Sequence, residues 1–332
     1  MVTLKMIAEE TGLSVAAVSK ALNHMPGVSE KNAIRVRECA KRMNYYPNGA
    51  AQTLKTQRSY NIGVVYQNEM DHEYFSRMLT AVCESAEGAG YDLTFLSNRG
   101  ISEFGYAAHA MRRNCDGVLV CNGNIDQEDL ERLAKNPLPV VSVERDFEGR
   151  SSVWSDNAGS MEQIVDYVAN LGHTRIAFIH GQKGQVTLER ISAFRAACEK
   201  RGIAVPEEYV REALFQSPKE TGVATRELMS LPVPPTCILF PDDISYLGGL
   251  TELEREGKSI PGDVSCVGYD GARLAGLLRP RLVTYRQDAE AMGRAALAEL
   301  FSAIEKGDSY EPRRIVIAGS VQPGSTVRDL TA

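Results

Sequence analysis

Acidic side chains occur in two short groups that could do chemistry in a cleft. Asp242 and Asp243 are adjacent in the phrase FPDD, and Glu144 and Asp146 flank Arg145 in the phrase VERD. Paired carboxyl groups can act as general acid and base, so an enzyme is one class to consider. The sequence has no G-x-S-x-G, H-E-x-x-H or G-x-x-x-x-G-K-[ST] phrase and no G-x-G-x-x-G after a strand. Because nothing supplies a nucleophile with its base, we expect neither an enzyme nor a cofactor.

The cysteines indicate neither a disulfide framework nor a metal site. They are odd in number and scattered, and no two form a C-x-x-C pair. We expect buried free thiols. The seven positions are Cys39, Cys83, Cys115, Cys121, Cys198, Cys237 and Cys266.

The basic side chains are concentrated at the N-terminal end. The first sixty residues hold nine Lys and Arg against four Asp and Glu, and the rest hold 28 against 39. The formal net charge of the whole chain is −6 at pH 7. A basic segment is suited to the phosphates of a nucleic acid. We therefore expect a DNA-binding head followed by an acidic domain with another task.

Length and hydropathy limit the remaining classes. A chain of 332 residues should divide into two or three units. It contains no apolar run of membrane-spanning length, and its first ten residues alternate charged with apolar side chains, unlike a signal peptide. We expect a cytoplasmic protein without a membrane partner.

The basic head has the pattern of a helix-turn-helix. Apolar residues recur at helical spacing over 4–11, Gly12 interrupts them, and Ser14 is a natural N-cap for a second helix over 15–22. A third helix is predicted over 29–43. In a helix-turn-helix, residues at the start of the second helix reach base edges in the major groove. Any small helical bundle could show this pattern, so the pattern alone leaves DNA binding open.

Three phrases occur in the order VTLKMIAEETGLSVAAVSKALN (2–23), VSEKNAIRVRECAKRMNYYPN (28–48) and AAQTL (50–54). In this order they resemble the head and hinge of the LacI/GalR family of transcriptional regulators. The resemblance implies base contacts by Val15 and Ala16, which suit thymine methyl groups, and by Lys20, a point donor to guanine. The DNA-contacting residues that we predict are Ser14, Val15, Ala16, Ser19, Lys20, Asn23, Ala51 and Leu54.

The segment 48–55 resembles the hinge helix of that family, which is too short to be stable alone in water. By this resemblance it folds on DNA, enters the minor groove with its partner and inserts Leu54 between base pairs. A plain linker over 47–60 is the alternative, and Gly49 and Gln52 leave it open.

From Tyr60 onward, short apolar runs alternate with amphipathic stretches, which predicts an α/β fold of parallel sheets covered by helices. Seven such alternations suggest two similar lobes. Predicted strands are Asn61–Tyr66, Tyr91–Ser97, Gly117–Cys121, Val140–Glu144, Arg175–His180, Cys237–Pro241 and Ser265–Gly268. Predicted helices are 76–88, 102–113, 127–135, 157–171, 188–201, 219–230 and 245–256.

This second part also resembles the LacI/GalR family, through VVSVERD (140–146), LGHTRIAFIHG (171–181), ERISAF (189–194), FPDD (240–243) and PGDVSCVGYDG (261–271). The resemblance implies a two-lobed, type I periplasmic-binding-protein-like effector domain. We then expect a head at 1–46, a hinge and linker at 47–59, and an effector-binding and dimerisation domain at 60–332. The expected N-lobe is 60–154 with 286–316, and the C-lobe is 155–285 with 317–332.

The family's effector contacts, carried over by position, combine carboxyl, guanidinium and aromatic groups, which suits a polyol such as a sugar. They are Tyr74, Phe75, Glu144, Arg145, Trp154, Arg190, Asp242, Asp270 and Gln287. Purely structural roles stay open: Arg190 could simply pair with Asp270, Asp243 could be an N-cap, and Trp154 could be core.

We therefore expect an allosteric, homodimeric repressor of carbohydrate-utilisation genes that binds a pseudo-palindromic operator and a small effector, most simply a sugar. A family member that responds to a purine or to a partner protein is one alternative. A solute-binding protein without a DNA role is another, although the basic head argues against it.

Overall fold

A computed structural model describes residues 2–22, 25–45, 58–66, 72–96, 105–121 and 127–332. The chain divides into two compact units, Met1–Ser59 and Tyr60–Ala332. Three predicted DNA contacts, Asn23, Ala51 and Leu54, lie outside the described residues, as does the predicted hinge at 48–55. No helix within the described ranges is long and apolar enough to cross a membrane.

The head consists of helices α1 (Leu4–Thr11), α2 (Val15–Leu22) and α3 (Glu30–Arg42). Gly12 ends α1 with a positive φ of 65°, a conformation that glycine adopts without a steric penalty. The Ser14 hydroxyl accepts a hydrogen bond from the Ala17 amide at 3.2 Å, which confirms the predicted cap of α2. The three helices thus start and end close to the predicted positions.

A small apolar core holds these helices together. Ile7 of α1, Val18 of α2 and Val36 of α3 are fully buried against one another and against smaller alanines. Burying one such side chain contributes about 1.5–3 kcal/mol, so a few of them can stabilise a small helical unit. On α2 the side chains of Val15, Ala16 and Lys20 remain exposed.

The second unit contains two six-stranded sheets. The first sheet has the order β11-β5-β4-β3-β1-β2, and all its neighbouring strands are parallel. Its strands are β1 (Asn61–Tyr66), β2 (Asp92–Leu96), β3 (Gly117–Cys121), β4 (Val140–Val143), β5 (Ser151–Ser155) and β11 (Arg314–Ile317). Its helices are α4 (Glu73–Gly88), α5 (Gly105–Arg112), α6 (Gln127–Lys135) and α12 (Ala289–Lys306).

The second sheet has the order β12-β10-β9-β8-β6-β7, with only the edge strand β12 antiparallel. Its strands are β6 (Ile176–His180), β7 (Val210–Glu212), β8 (Cys237–Leu239), β9 (Ser265–Tyr269), β10 (Val283–Arg286) and β12 (Ser320–Gln322). Its helices are α7 (Asn157–Asn170), α8 (Gln185–Lys200), α9 (Pro218–Met229), α10 (Asp243–Arg255) and α11 (Arg273–Leu277).

The chain passes between the two sheets three times. It leaves the first sheet after Ser155, returns after Arg286 through α12, and crosses again between Ile317 and Ser320. In parallel sheets the carboxyl ends of the strands form one edge, where ligand sites commonly lie. Residues that follow β4, β9 and β10 are therefore candidates for a shared site.

The predicted α/β fold with parallel sheets is confirmed, and all seven predicted strands are present, several of them shorter than expected. Sequence periodicity missed two helices, α11 and α12, and five strands, β5, β7, β10, β11 and β12. Strand β5 is wholly buried yet rich in serine. Its Ser151 hydroxyl contacts Tyr310 and Glu299, and the Ser152 hydroxyl donates to Asp146, so a buried polar strand was hidden from an apolar criterion.

Candidate functional site

The exposed face of α2 carries the side chains that we predicted to contact DNA. Val15 is 44% exposed although it is apolar, and Ser14, Ala16 and Lys20 are exposed beside it. Ser19 is half-buried. An apolar side chain left in water at the start of a recognition helix is available for contact with a methyl group.

The arginines and lysines of the head have different roles. Arg35 donates to the Thr11 carbonyl, Arg37 pairs with Glu30 at 2.8 Å, and Arg42 pairs with Glu10 at 2.9 Å. The lysines are exposed and make no ion pair within the described residues of the head, which leaves them available for phosphate contacts. They are Lys5, Lys20, Lys31 and Lys41.

In the second unit, residues from both sheets form an ionic cluster, which we call the interlobe cluster: Tyr74, Glu144, Arg190, Asp270 and Gln287. Tyr74 lies in the first turn of α4 and Glu144 follows β4, both on the first sheet. Arg190 lies in α8, Asp270 follows β9, and Gln287 follows β10, all on the second sheet. The backbones of Glu144 and Asp270 have positive φ values of 54° and 95°, which is uncommon outside glycine and occurs often at functional sites.

Arg190 is the fixed cation of the interlobe cluster. Its side chain is buried, its guanidinium carbon lies 3.8 Å from the centre of the Tyr269 ring, and its Nε donates to Asn157 Oδ1 at 2.8 Å. Stacking on an aromatic face and one hydrogen bond hold the planar group in one orientation. The positive charge of Arg190 lowers the pKa of Glu144, so it acts across the two sheets.

The interlobe cluster shifts the pKa of the Glu144 carboxyl group close to neutrality. Burial and, after it, the negative charge of Asp270 raise its pKa to about 7 against the opposing effects of Arg190 and of a hydrogen bond from Tyr74. Its Oε1 is buried without a hydrogen-bond partner in the described part of the chain. A buried acceptor without a donor is costly, so this atom is a candidate ligand contact.

Asp270 is connected to several side chains around it. Its Oδ1 accepts from Gln287 Nε2 at 2.7 Å, its Oδ2 lies 4.0 Å from His72 Nε2, and its backbone carbonyl accepts from Arg77 at 2.8 Å. Gln287 is only 2% exposed, and its Oε1 has no partner among the described residues. The cluster thus presents a second buried acceptor beside that of Glu144.

Tyr74 and Phe75 supply an aromatic wall. Both are buried, their ring centres lie 4.9 Å apart, and the His72 ring lies 5.0 Å from Phe75 in an edge-to-face arrangement. Burial, and then the charge of Glu144, raise the pKa of Tyr74 well above its usual value, so its hydroxyl stays protonated. The Tyr74 hydroxyl also lies 3.1 Å from the Met292 sulfur.

In the aspartate pair, the N-cap role considered for Asp243 belongs to its neighbour. Asp242, and not Asp243, is the N-cap of α10: its Oδ1 accepts from the Ser245 amide at 2.7 Å, and its Oδ2 from the Gln216 amide at 2.9 Å. Asp243 accepts from the Thr284 hydroxyl and the Ala272 amide, both at 2.7 Å. Burial and the charge of Asp270 raise the pKa of both carboxyls. The prediction of an N-cap at Asp243 was wrong because the helix begins at Asp243 itself, two residues before the predicted start at 245.

The contacts that Arg145 and Trp154 make are with residues outside the interlobe cluster. The Arg145 guanidinium lies 6.0 Å from the centre of the Phe147 ring, and burial lowers its pKa against the opposing charge of Glu131. Trp154 is fully buried, and its indole N–H donates to Asp146 Oδ1 at 2.8 Å. The effector contacts predicted for these two residues remain predictions.

Sequence reasoning missed a bridge between the sheets next to Trp154. Arg314 of β11 lies 4.3 Å from the centre of the Trp154 ring and pairs with Glu189 of α8 at 2.9 Å. Gln185, also of α8, donates to Asp146 at 3.3 Å. Arg314 and Glu189 are 125 positions apart in sequence. No spacing rule could therefore have paired them.

A second bridge lies on the other flank of the interlobe cluster. Glu73 of α4 accepts from the Arg273 amide at 3.0 Å, and Arg77 reaches the Asp270 carbonyl. A groove of about 420 Å³ adjoins this flank; it includes Glu73, Arg77, Gly271, Arg273 and Arg286 in its lining. The interlobe cluster therefore lies between two sets of contacts that join the sheets.

Glu144 should make stability depend on pH in the acidic range. The folded carboxyl keeps its proton up to about pH 7, whereas an unfolded glutamate loses it near 4.5, so the folded state binds more protons between these values. Rising pH then lowers the free energy of unfolding. We expect the stability of Glu144→Gln relative to the unchanged protein to increase by up to about 3 kcal/mol across this range in urea unfolding. Exposed Glu148→Gln, from the same loop, is the control, and a pH-independent difference for Glu144→Gln would contradict the assignment.

Two family models match the chain. Residues 3–48 match bacterial regulatory proteins of the lacI family, and residues 165–327 match a periplasmic binding protein-like domain. The Bacillus subtilis (strain 168) protein named "Probable HTH-type transcriptional repressor ExuR" is 27% identical over 317 residues, 93% of each chain. The HTH-type transcriptional repressor PurR of Vibrio cholerae serotype O1 (strain M66-2) is 28% identical over 347 residues, covering 100% of this chain and 99% of that relative.

A solved structure shows the same fold over nearly the whole chain. The lac repressor dimer bound to operator and the anti-inducer ONPF is 23% identical, covers 98% of this chain and 99% of its own, and has a TM-score of 0.84. The match of the head, the match of the two-sheet domain and the full-length relatives all indicate the same kind of protein. The chain therefore combines a DNA-binding head of the lacI type with a periplasmic-binding-protein-like domain, and like its full-length repressor relatives it is a DNA-binding transcriptional regulator, not an enzyme.

Proposed function

We propose that this protein is a repressor that binds a pseudo-palindromic operator as a homodimer and is controlled by a small molecule, a sugar, in the interlobe cluster. The observation that carries the proposal is the pair of buried acceptors, Glu144 Oε1 and Gln287 Oε1, beside the fixed cation Arg190. The relatives named above carry repressor in their names, which supports the direction of control. Because bacterial DNA lies in the cytoplasm, the protein acts there.

A sugar suits the interlobe cluster chemically. Its hydroxyl groups can donate to the two unpartnered acceptors and accept from Arg190, and the apolar face of its ring can cover the aromatic wall of Tyr74 and Phe75. Asp242 is used within its own helix cap, so its role for a ligand is to add negative charge near Asp270. Recognition would thus be shared between residues of both sheets.

A homodimer follows from the small size of the DNA-binding face. One α2 helix presents Val15, Ala16 and Lys20, which can read only a few base pairs, and two-fold symmetry doubles that number across two half-sites. The segment with Ala51 and Leu54 joins the head to the second unit, so we assign it the minor-groove contact at the operator centre. A ligand that changes how the two sheets meet would change operator affinity by linkage.

Lys20 should determine sequence preference at one base pair in each half-site. Lys20→Ala removes the donor to guanine, so we expect a loss of about 1–3 kcal/mol of discrimination there and a smaller loss on unrelated DNA. The measurement is operator selection from a random DNA pool, followed by affinities for single-base variants. Lys31→Ala, an exposed lysine of α3, is the control for a phosphate contact. If Lys20→Ala weakens binding to all sequences equally, Lys20 contacts phosphate and not a base, and the assignment is wrong.

Arg190 should be needed for the response to a ligand and not for binding to DNA. We expect Arg190→Ala and Arg190→Lys to abolish the effect of monosaccharides on operator affinity, since neither substitute can stack on Tyr269 and bond Asn157 as a planar fork. Operator binding without ligand should stay within about threefold, a change below 1 kcal/mol. The control is Arg195→Ala, on the same helix as Arg190, which removes only a surface ion pair with Glu207. A sugar response that survives in both Arg190 variants would refute the proposed site.

A further inference from the structure

The two unpartnered atoms of the interlobe cluster itself are hydrogen-bond acceptors, whereas Arg77 Nε on its flank is a buried donor without a partner among the described residues. Glu144 Oε1 and Gln287 Oε1 are acceptors, and each is buried without a partner within the described ranges. His72 Nδ1 is buried and unpartnered in the same sense. His72 Nε2 lies 4.0 Å from the Asp270 carboxylate, so this ring borders the same group of polar atoms. A ligand that satisfies this set must bring donors.

Around the interlobe cluster, buried acidic side chains outnumber buried basic ones, which also favours a ligand that brings donors. Asp242 and Asp243 are buried near Asp270 on the second sheet, and Glu144 faces Asp270 from the first. Arg190 is the buried cation among them, and it is already engaged by Tyr269 and Asn157. Burial first, and the like charge of Asp270 after it, raise the pKa of Glu144. A cationic ligand would relieve this repulsion, and an anionic ligand would increase it.

We propose that the effector is an amino sugar, a hydroxylated ring with a protonated primary amine that lies among Glu144, Gln287 and Asp270. This inference rests on the proposed interlobe ligand site. An ammonium group carries three donors and a full charge, whereas a hydroxyl group carries one donor and no charge. The ring hydroxyls remain for Arg190.

The contact between the ammonium group and Glu144 makes ligand binding depend on pH. Glu144 is faced by Tyr74 of α4, by Glu189 and Arg190 of α8, and by Asp270 after β9. An ammonium ion beside Glu144 favours its ionised form, so binding near pH 7 releases a proton and weakens as the pH falls. With the amine protonated throughout, affinity should fall by about tenfold between pH 7 and about pH 5.5.

Calorimetric titration of the full-length protein tests the class of ligand. The probes are glucosamine, galactosamine and mannosamine, their three parent sugars, N-acetylglucosamine, glucuronate and glucose 6-phosphate. We expect one amine to bind at least about tenfold tighter than its parent sugar, and tighter than the acid and the phosphate. Its binding should release protons, seen as a dependence of the heat on the ionisation enthalpy of the buffer. That amine should also change the affinity for operator DNA.

Glu144→Gln should weaken binding of the amine at least about tenfold more than it weakens binding of the parent sugar, because glutamine keeps an acceptor oxygen but loses the negative charge. Glu148→Gln, from the exposed part of the same loop, should leave both unchanged. If a parent sugar, the acid or the phosphate binds as tightly as the amines, or if Glu144→Gln keeps the preference, the amino-sugar proposal fails and the interlobe site stands. If none of the nine compounds binds or changes operator affinity, the sugar effector of the proposed function fails with it.

Discussion

The second unit depends on one buried cation that faces carboxyl groups from two sheets. Arg190 is fixed on Tyr269 and Asn157, and its charge reaches Glu144 on the other sheet. A guanidinium group buried at this position needs anionic partners, because an uncompensated buried charge costs several kcal/mol. The residues after β4 and β9 supply those partners from positive-φ positions. The strands of both sheets, in turn, place these residues at their carboxyl ends.

The position of Arg190 connects the ligand site to the contacts between the sheets. Helix α8 carries Arg190 together with Glu189 and Gln185, which bridge to Arg314 and Asp146 of the first sheet. On the other flank, α4 bridges to the segment after β9. In the function that we propose, a ligand between Glu144 and Asp270 changes which of these hydrogen bonds and ion pairs between the sheets form. The relative orientation of the two sheets then changes, and operator affinity changes with it.

The sequence was sufficient for the architecture and for part of the candidate site. Charge distribution and helical spacing predicted the head, and alternating apolar runs predicted the sheets. Residue resemblance placed Tyr74, Glu144, Arg190 and Asp270 in one site, and the structure brings these four together. Their assignment as effector contacts remains a prediction.

What the sequence could not give was decided by tertiary contacts. Strand β5 was missed because its buried serines find partners from distant segments. The cap of α10 was placed one residue late, since two adjacent aspartates are equally good caps by type. The Arg314–Glu189 pair joins residues far apart in the chain, which no local pattern can show.

The central claim, that Arg190 and Glu144 interact across the two sheets, is tested most directly by a double-mutant cycle. The free energy of unfolding would be measured for the unchanged protein, Glu144→Gln, Arg190→Gln and the double variant, at about pH 8, where Glu144 is ionised. The account predicts a favourable coupling of about 1–3 kcal/mol, which shrinks at about pH 5.5 as Glu144 takes up a proton. Additive effects within about 0.5 kcal/mol at both pH values would contradict it.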